Sequence, residues 1–166
     1  MPSKFMAAVA GFGPDGDKEG WFAFLDLAQK LFGRYGDIPF VHWASYEKTN
    51  LSKYVKRYGD PHGTAARVLT NLLDLFTIGK NSIVLPLPSF SLKVVEKYVG
   101  FKRTQDEYGG DWAMAKFIEA TETQDRQKRD ELMTQICKYN EEDLAATWYV
   151  FDWLRLKHPW AQAARP

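Results

Sequence analysis

One periodic stripe near the C-terminus constrains this chain most. Leu132, Ile136, Tyr139, Asp143, Val150 and Leu154 follow three- and four-residue spacing, so they share one face of a long helix. A face of that kind is normally buried, and the rest of the chain must supply a surface to cover it. One member is out of character. Asp143 is a carboxylate in the middle of an apolar stripe. A buried carboxylate needs a cationic side chain, hydrogen-bond donors or a metal ion, or it takes up a proton. Tyr139 lies one turn earlier on the same face, which places a phenol beside the carboxylate.

Length and composition bound the fold. A chain of 166 residues fits one domain and can bury a core. Aromatic residues make up 15% of it, with six Trp, which argues for a compact globular protein rather than a disordered one. The net charge of +1 gives no overall basic excess, so any nucleic-acid contact must come from local patches. Cys137 is the single cysteine, which excludes an internal disulfide, suggests a reducing cytoplasmic setting and reads as packing. No apolar run approaches the roughly 20 residues of a membrane span, and no signal peptide is visible in Met1 to Ala10.

The pattern predicts a helix-rich α/β domain spanning 1–166. Phe5 to Phe12 reads as a strand ended by Gly11, Gly13 and Pro14. Asp17 and Glu19 open a helix with Trp21, Phe24, Leu25, Ala28, Leu31 and Phe32 on one face. Gly33 and Gly36 mark its end. Ile38 to His42 reads as a buried strand, and Ser45 as the cap of a second helix. Ala65 to Leu72 reads as helical and runs into Leu72 to Phe76. Further helices are expected over Leu92 to Val99 and Trp112 to Ala120. The last starts in the polar run Thr121 to Arg129 and reaches about Leu156.

Three acids are candidates for chemistry. Asp143 is the first. Glu47 follows a strand end at His42 and falls in the first turn of the next helix; the plainer reading is a stabilising N-terminal charge. Asp74 sits among Leu72, Leu73, Leu75 and Phe76, where it suits a metal ligand, a buried ion pair or an amphipathic edge. Tyr139-x-x-x-Asp143 is an arrangement a metal-dependent exonuclease uses, with a carboxylate for the cation and a phenol to orient water. A two-cation phosphodiester hydrolase needs about four carboxylates, and an all-oxygen ligand set points to Mg²⁺ or Mn²⁺. Asp17-Lys18-Glu19 matches Asp-x-Glu as a string, but lies in a turn and helix start rather than on a strand, and reads as a decoy. His42, His62 and His158 match no zinc spacing. No serine-hydrolase frame, phosphate loop or dinucleotide fingerprint is present. Basic residues cluster around Lys48 to Arg57, Lys93 to Arg103 and Arg126 to Arg129. They suit phosphate contacts or a solvated face of mixed charge.

Longer segments carry a resemblance. They are Gly36-Asp-Ile-Pro-Phe-Val-His-Trp-Ala-Ser-Tyr-Glu-Lys-Thr49, Arg57-Tyr-Gly-Asp-Pro61 and Leu72-Leu-Asp-Leu-Phe76. Leu85 to Arg103, Tyr108-Gly-Gly-Asp-Trp-Ala-Met-Ala-Lys116 and Tyr139-Asn-Glu-Glu-Asp-Leu-Ala-Ala-Thr-Trp148 continue it. Together, over about Ala10 to Leu156, the chain resembles the ribonuclease-H-like 3′–5′ exonuclease domain (YprB type, DnaQ-like superfamily) of predicted RecB-family nucleases. The resemblance implies that Glu47, Asp143 and, secondarily, Asp74 bind Mg²⁺ or Mn²⁺, with Tyr139 positioning the attacking water. His42, Ala44, Tyr46 and Glu47 match the second motif of that superfamily, and Tyr139 and Asp143 the third.

The first motif, a central strand bearing Asp-x-Glu, has no counterpart, and neither does the strand after it. The resemblance therefore implies a ribonuclease-H-like fold truncated at its N-terminus, with an incomplete active site and weak or absent nuclease activity. The implied partners are nucleic acid, single-stranded DNA first, and further nuclease or helicase domains of a parent protein. Without its neighbour, the strand at Phe40 to Trp43 is expected to present an apolar edge that lowers stability or drives dimerisation. Two alternatives remain open at this point. One is a non-catalytic nucleic-acid or protein-interaction module on the same fold. The other is a structural domain in which Asp143 is ion-paired, for example to Arg129 or Arg155.

Overall fold

The structure is a computed structural model that describes residues 5–105 and 109–157. Tyr108 of the quoted motif and His158 lie outside the described residues. The chain divides into two compact units: Ala8–Leu92, and Lys93–Pro166 together with Met1–Ala7.

The first unit contains α1 (Gly16–Tyr35), β1 (Phe40–His42), α2 (Tyr46–Tyr58), α3 (Thr64–Thr70), β2 (Leu72–Asp74) and α4 (Leu75–Ser82). Asp17 and Glu19 stand in the first turn of α1, where negative charge suits the helix dipole. Gly33 continues the helix; it ends at Gly36, whose φ of 72° lets its N–H reach Phe32 O at 2.9 Å. The inner face of α1, Trp21, Leu25, Ala28 and Phe32, is buried against Ala65 and Val68 of α3 and half-buried residues of α2. Asp60 fastens the start of α3: its two carboxylate oxygens accept from Ala65 N (3.1 Å) and Ala66 N (2.9 Å).

β1 and β2 form a parallel pair with Phe40 opposite Leu72, Val41 opposite Leu73 and His42 opposite Asp74. This register sets the two strand-end polar residues side by side. Phe40 and Leu72 pack on the Ala28, Phe32 and Val68 cluster, which anchors the pair to α1 and α3. The strand expected over Phe5 to Phe12 does not form; the segment has no regular secondary structure. Met6, Val9 and Phe12 are exposed. A strand needs a neighbour for its backbone groups, and the sole ladder among the described residues joins β1 to β2.

The second unit contains α5 (Leu92–Val99), α6 (Gly110–Glu122) and α7 (Arg126–Lys157). The last helix begins later than the polar run suggests. Thr123 leaves the helical conformation, and Asp125 Oδ1 accepts from Gln127 N (2.9 Å) and Lys128 N (3.3 Å), starting α7 afresh. Arg129 closes the end of α6 by donating to Ala120 O (3.2 Å) and Thr123 O (2.7 Å). The stripe on α7 is buried as expected at Leu132, Tyr139, Val150 and Leu154, with Ala146 between them. Tyr98 of α5 meets Trp153 edge-on at 6.3 Å, and Phe101 meets Tyr149 at 5.6 Å, so α5 and its following loop lie on α7. Cys137 is half-buried and free.

Candidate nucleic-acid-processing site

In the first unit the polar groups gather at the strand ends. His42 is buried, and its Nδ1 lies 3.5 Å from Glu47 Oε2 at the start of α2. Ser45 precedes that helix but its side chain does not cap it. Ala44 takes a positive φ of 64°, which turns the chain sharply between β1 and α2. Asp74 secures the turn: its Oδ1 accepts from Ala44 N (2.9 Å) and Phe76 N (3.0 Å), and its Oδ2 from Thr77 Oγ1 (2.6 Å). Asp74 is therefore the N-cap of α4 and the tie between the two strand ends. Burial disfavours its charge, but the hydrogen bonds from Thr77, Ala44 and Phe76 outweigh burial and hold its pKa below the usual range. Glu47 moves the other way. Partial withdrawal from water raises its pKa, against the lowering by its own backbone N–H and His42 and with the Asp74 charge adding to the rise.

These opposite shifts have opposite consequences for stability. Asp74 contributes stability that is present above the ordinary Asp range and lost as pH falls through its depressed value. Glu47 carries a small penalty, absent in acid, that develops as pH rises through the ordinary Glu range. Asp74→Ala is expected to cost about 2 kcal/mol at neutral pH, the upper end of a lost helix cap, and to flatten the acid limb of a urea-denaturation series. An unchanged acid limb would remove Asp74 from this role.

In the second unit a guanidinium organises the acids. Arg103 lies in the loop after α5, and its side chain is only 4% exposed. It forks onto Glu96 of α5, with Nε to Oε1 at 2.7 Å and Nη2 to Oε2 at 2.8 Å. Nη2 also reaches Asp143 Oδ1 at 2.5 Å. Glu96 is 1% exposed, whereas the Asp143 side chain keeps 34% of its surface. The next loop residue is tied to the neighbouring acid: Thr104 donates through N (2.9 Å) and Oγ1 to Glu142 Oε1. Burial opposes the Glu142 charge, but these bonds outweigh it and lower its pKa. Tyr139 is buried, meets Trp112 edge-on at 6.1 Å and places its hydroxyl against the Asp143 carboxylate. Burial, then the Asp143 charge, pushes its pKa far above the ordinary phenol value. The phenol therefore stays protonated near neutral pH, suited to donating a hydrogen bond and not to accepting a proton as a base.

The ion-pair alternative for Asp143 thus has a partner other than the two the sequence suggested. Arg129 is used at the end of α6, and Arg155 lies 3.7 Å from Asp152. Glu96, Arg103, Thr104 and Glu142 join Asp143 through contacts that the α7 pattern alone does not reveal. A signal for Glu96 existed: Leu92, Val95, Glu96 and Val99 share helix spacing, so Glu96 interrupts an apolar face as Asp143 does.

A family model described as the RNase H superfamily matches residues 10–155. The chain belongs to the RNase H superfamily. Among curated proteins and among solved structures, nothing matches it. The membership supports a nucleic-acid-related function, and the helix-rich body with a small parallel sheet is a mixed α/β arrangement. No helix among the described residues is long and apolar enough to cross a membrane.

Within each unit of this RNase H superfamily chain, the candidate acids already have protein partners. Among the described residues no three His, Cys, Asp or Glu side chains are grouped to hold a metal ion. Asp143 meets a guanidinium, Asp74 serves three protein donors, and Glu47 faces His42. The basic clusters are also partly used internally. Arg57 pairs with Asp17 at 3.0 Å and Lys128 with Glu119 at 2.8 Å.

Proposed function

We propose that this chain is a domain of the 3′–5′ exonuclease type that acts on nucleic-acid phosphodiesters, weak or inactive by itself. The observation that carries the reading is family membership over residues 10–155, combined with the Tyr139 and Asp143 pair on one face of α7. Glu47, Asp143 and secondarily Asp74 are the acids we assign to Mg²⁺ or Mn²⁺, and Tyr139 the phenol that orients water. The set is incomplete: these acids fall short of the roughly four carboxylates a two-cation site uses. YprB-type and RecB-family kinship, with further nuclease or helicase domains of a parent protein, belongs to the same proposal. So do single-stranded DNA as the preferred substrate, a cytoplasmic setting and pairing through the open edge of β1.

A second reading, a non-catalytic nucleic-acid module, is favoured by the Arg103 contact to Asp143. One experiment separates the two. The chain is incubated with 5′-labelled single-stranded DNA and Mg²⁺ or Mn²⁺, and its retention of the same DNA is measured across a salt series. The expected result is salt-sensitive binding with at most trace shortening from the 3′ end. Any shortening should vanish in Glu47→Ala and Asp143→Ala. Binding with no shortening under either cation decides for the non-catalytic module. Absence of both binding and shortening overturns the nucleic-acid reading altogether.

A further inference from the structure

About a third of the Asp143 side chain is open to solvent, yet one of its oxygens meets a buried positive charge. A cation could therefore reach this carboxylate from solvent. The guanidinium is held from several sides. Two of its nitrogens fork onto Glu96, the most deeply buried acid among the described residues of this unit. The loop that carries it is fastened one residue later, where Thr104 bonds Glu142 through both backbone and side chain. Glu142 and Asp143 are adjacent on α7, so Arg103 and Thr104 act as a two-point strap across that turn of the helix. Swinging the guanidinium away would strand Glu96 without a counter-charge, which is costly in a buried site. A fixed unit charge at hydrogen-bond distance also opposes any second cation approaching the same carboxylate.

We infer that Arg103 is the resident counter-charge of Asp143 and withholds that carboxylate from divalent cations. The inference rests on the proposed membership of Asp143 in the acid set and adds a control to it. Glu96 and the Thr104–Glu142 tie set the strength of that control, because they fix where the guanidinium stands. Arg103 is a positioning residue in this account, since it acts through Asp143.

The test uses Mn²⁺ alone, with the free ion counted by electron paramagnetic resonance against the full chain. In the otherwise wild-type chain, Asp143→Asn is expected to leave Mn²⁺ affinity unchanged. A fall in affinity would show that Asp143 already binds the ion, and would overturn the inference without any Arg103 variant. Glu96→Gln with Arg103→Met removes the guanidinium together with its buried partner, so Glu96 is not left as an uncompensated charge. That double variant is expected to bind Mn²⁺ about tenfold more tightly or better, the scale on which groups around a metal ligand act. Adding Asp143→Asn should erase the gain. A folded double variant with no gain would sink the inference. Arg103→Lys keeps the charge and is expected to show wild-type affinity. An equal gain there would assign the effect to loosened packing rather than charge and would also overturn it. The strand-shortening assay on the unaltered chain decides the nuclease reading separately, so either can fail while the other stands.

Discussion

Arg103→Met is expected to destabilise the Lys93–Pro166 unit by about 3–5 kcal/mol, the cost of breaking a buried ion pair by removing one partner. The size follows from Glu96. Its side chain is 1% exposed, and both of its oxygens are bonded by the Arg103 fork. Without the guanidinium, the carboxylate is left uncompensated in a buried site, which is costly. Urea denaturation followed by near-ultraviolet circular dichroism at neutral pH measures it. The Glu96→Gln and Arg103→Met double variant should recover most of the loss at neutral pH. A loss in the double variant as large as in the single one would mean that Arg103 acts by packing and not by charge.

The sequence made some of this legible, and the limits have physical causes. The α7 stripe was readable because helix periodicity is local. Its one wrong-sign member, Asp143, announced a compensating partner for the same reason. The identity of that partner was not readable. Arg129 and Arg155 are close in sequence, but Arg103 lies 40 positions away and reaches Asp143 through the packing of a loop on α7. Glu96 gave the same kind of signal on α5, at one position of an eight-residue helix, where a single acid is easily read as surface. Asp74 suits three readings in sequence; in the structure it caps α4 and ties down Ala44, contacts that strand pairing brings within reach. Strand pairing is non-local, so the pattern of Leu72 to Phe76 alone could not show that His42 stands opposite Asp74. The same non-locality explains Phe5 to Phe12, where an apolar run suggested a strand but no ladder holds it.

Trp21→Ala should be the most damaging single change in the Ala8–Leu92 unit, costing about 3–5 kcal/mol as for other large aromatic-to-alanine core substitutions. Trp21 is 4% exposed and stacks on Phe24 and Tyr54 with ring centroids 5.8 and 5.5 Å away. Its indole N–H donates to Gly59 O at 2.9 Å, where α2 ends. The substitution therefore opens a cavity between α1, α2 and α3 and leaves a carbonyl without its donor. Trp21→Phe separates the two losses. It keeps an aromatic ring in the stack and removes the hydrogen bond, at an expected cost of about 1–2 kcal/mol. The consequence extends to the strand ends, because Phe24 and Leu51 pack against both this cluster and the one that holds Phe40 and Leu72. Hydrogen exchange in Trp21→Ala should therefore accelerate at the β1 and β2 amides as well as in α1. Acceleration confined to α1 would show that the strand pair carrying His42 and Asp74 stands on the Phe32 and Val68 cluster alone.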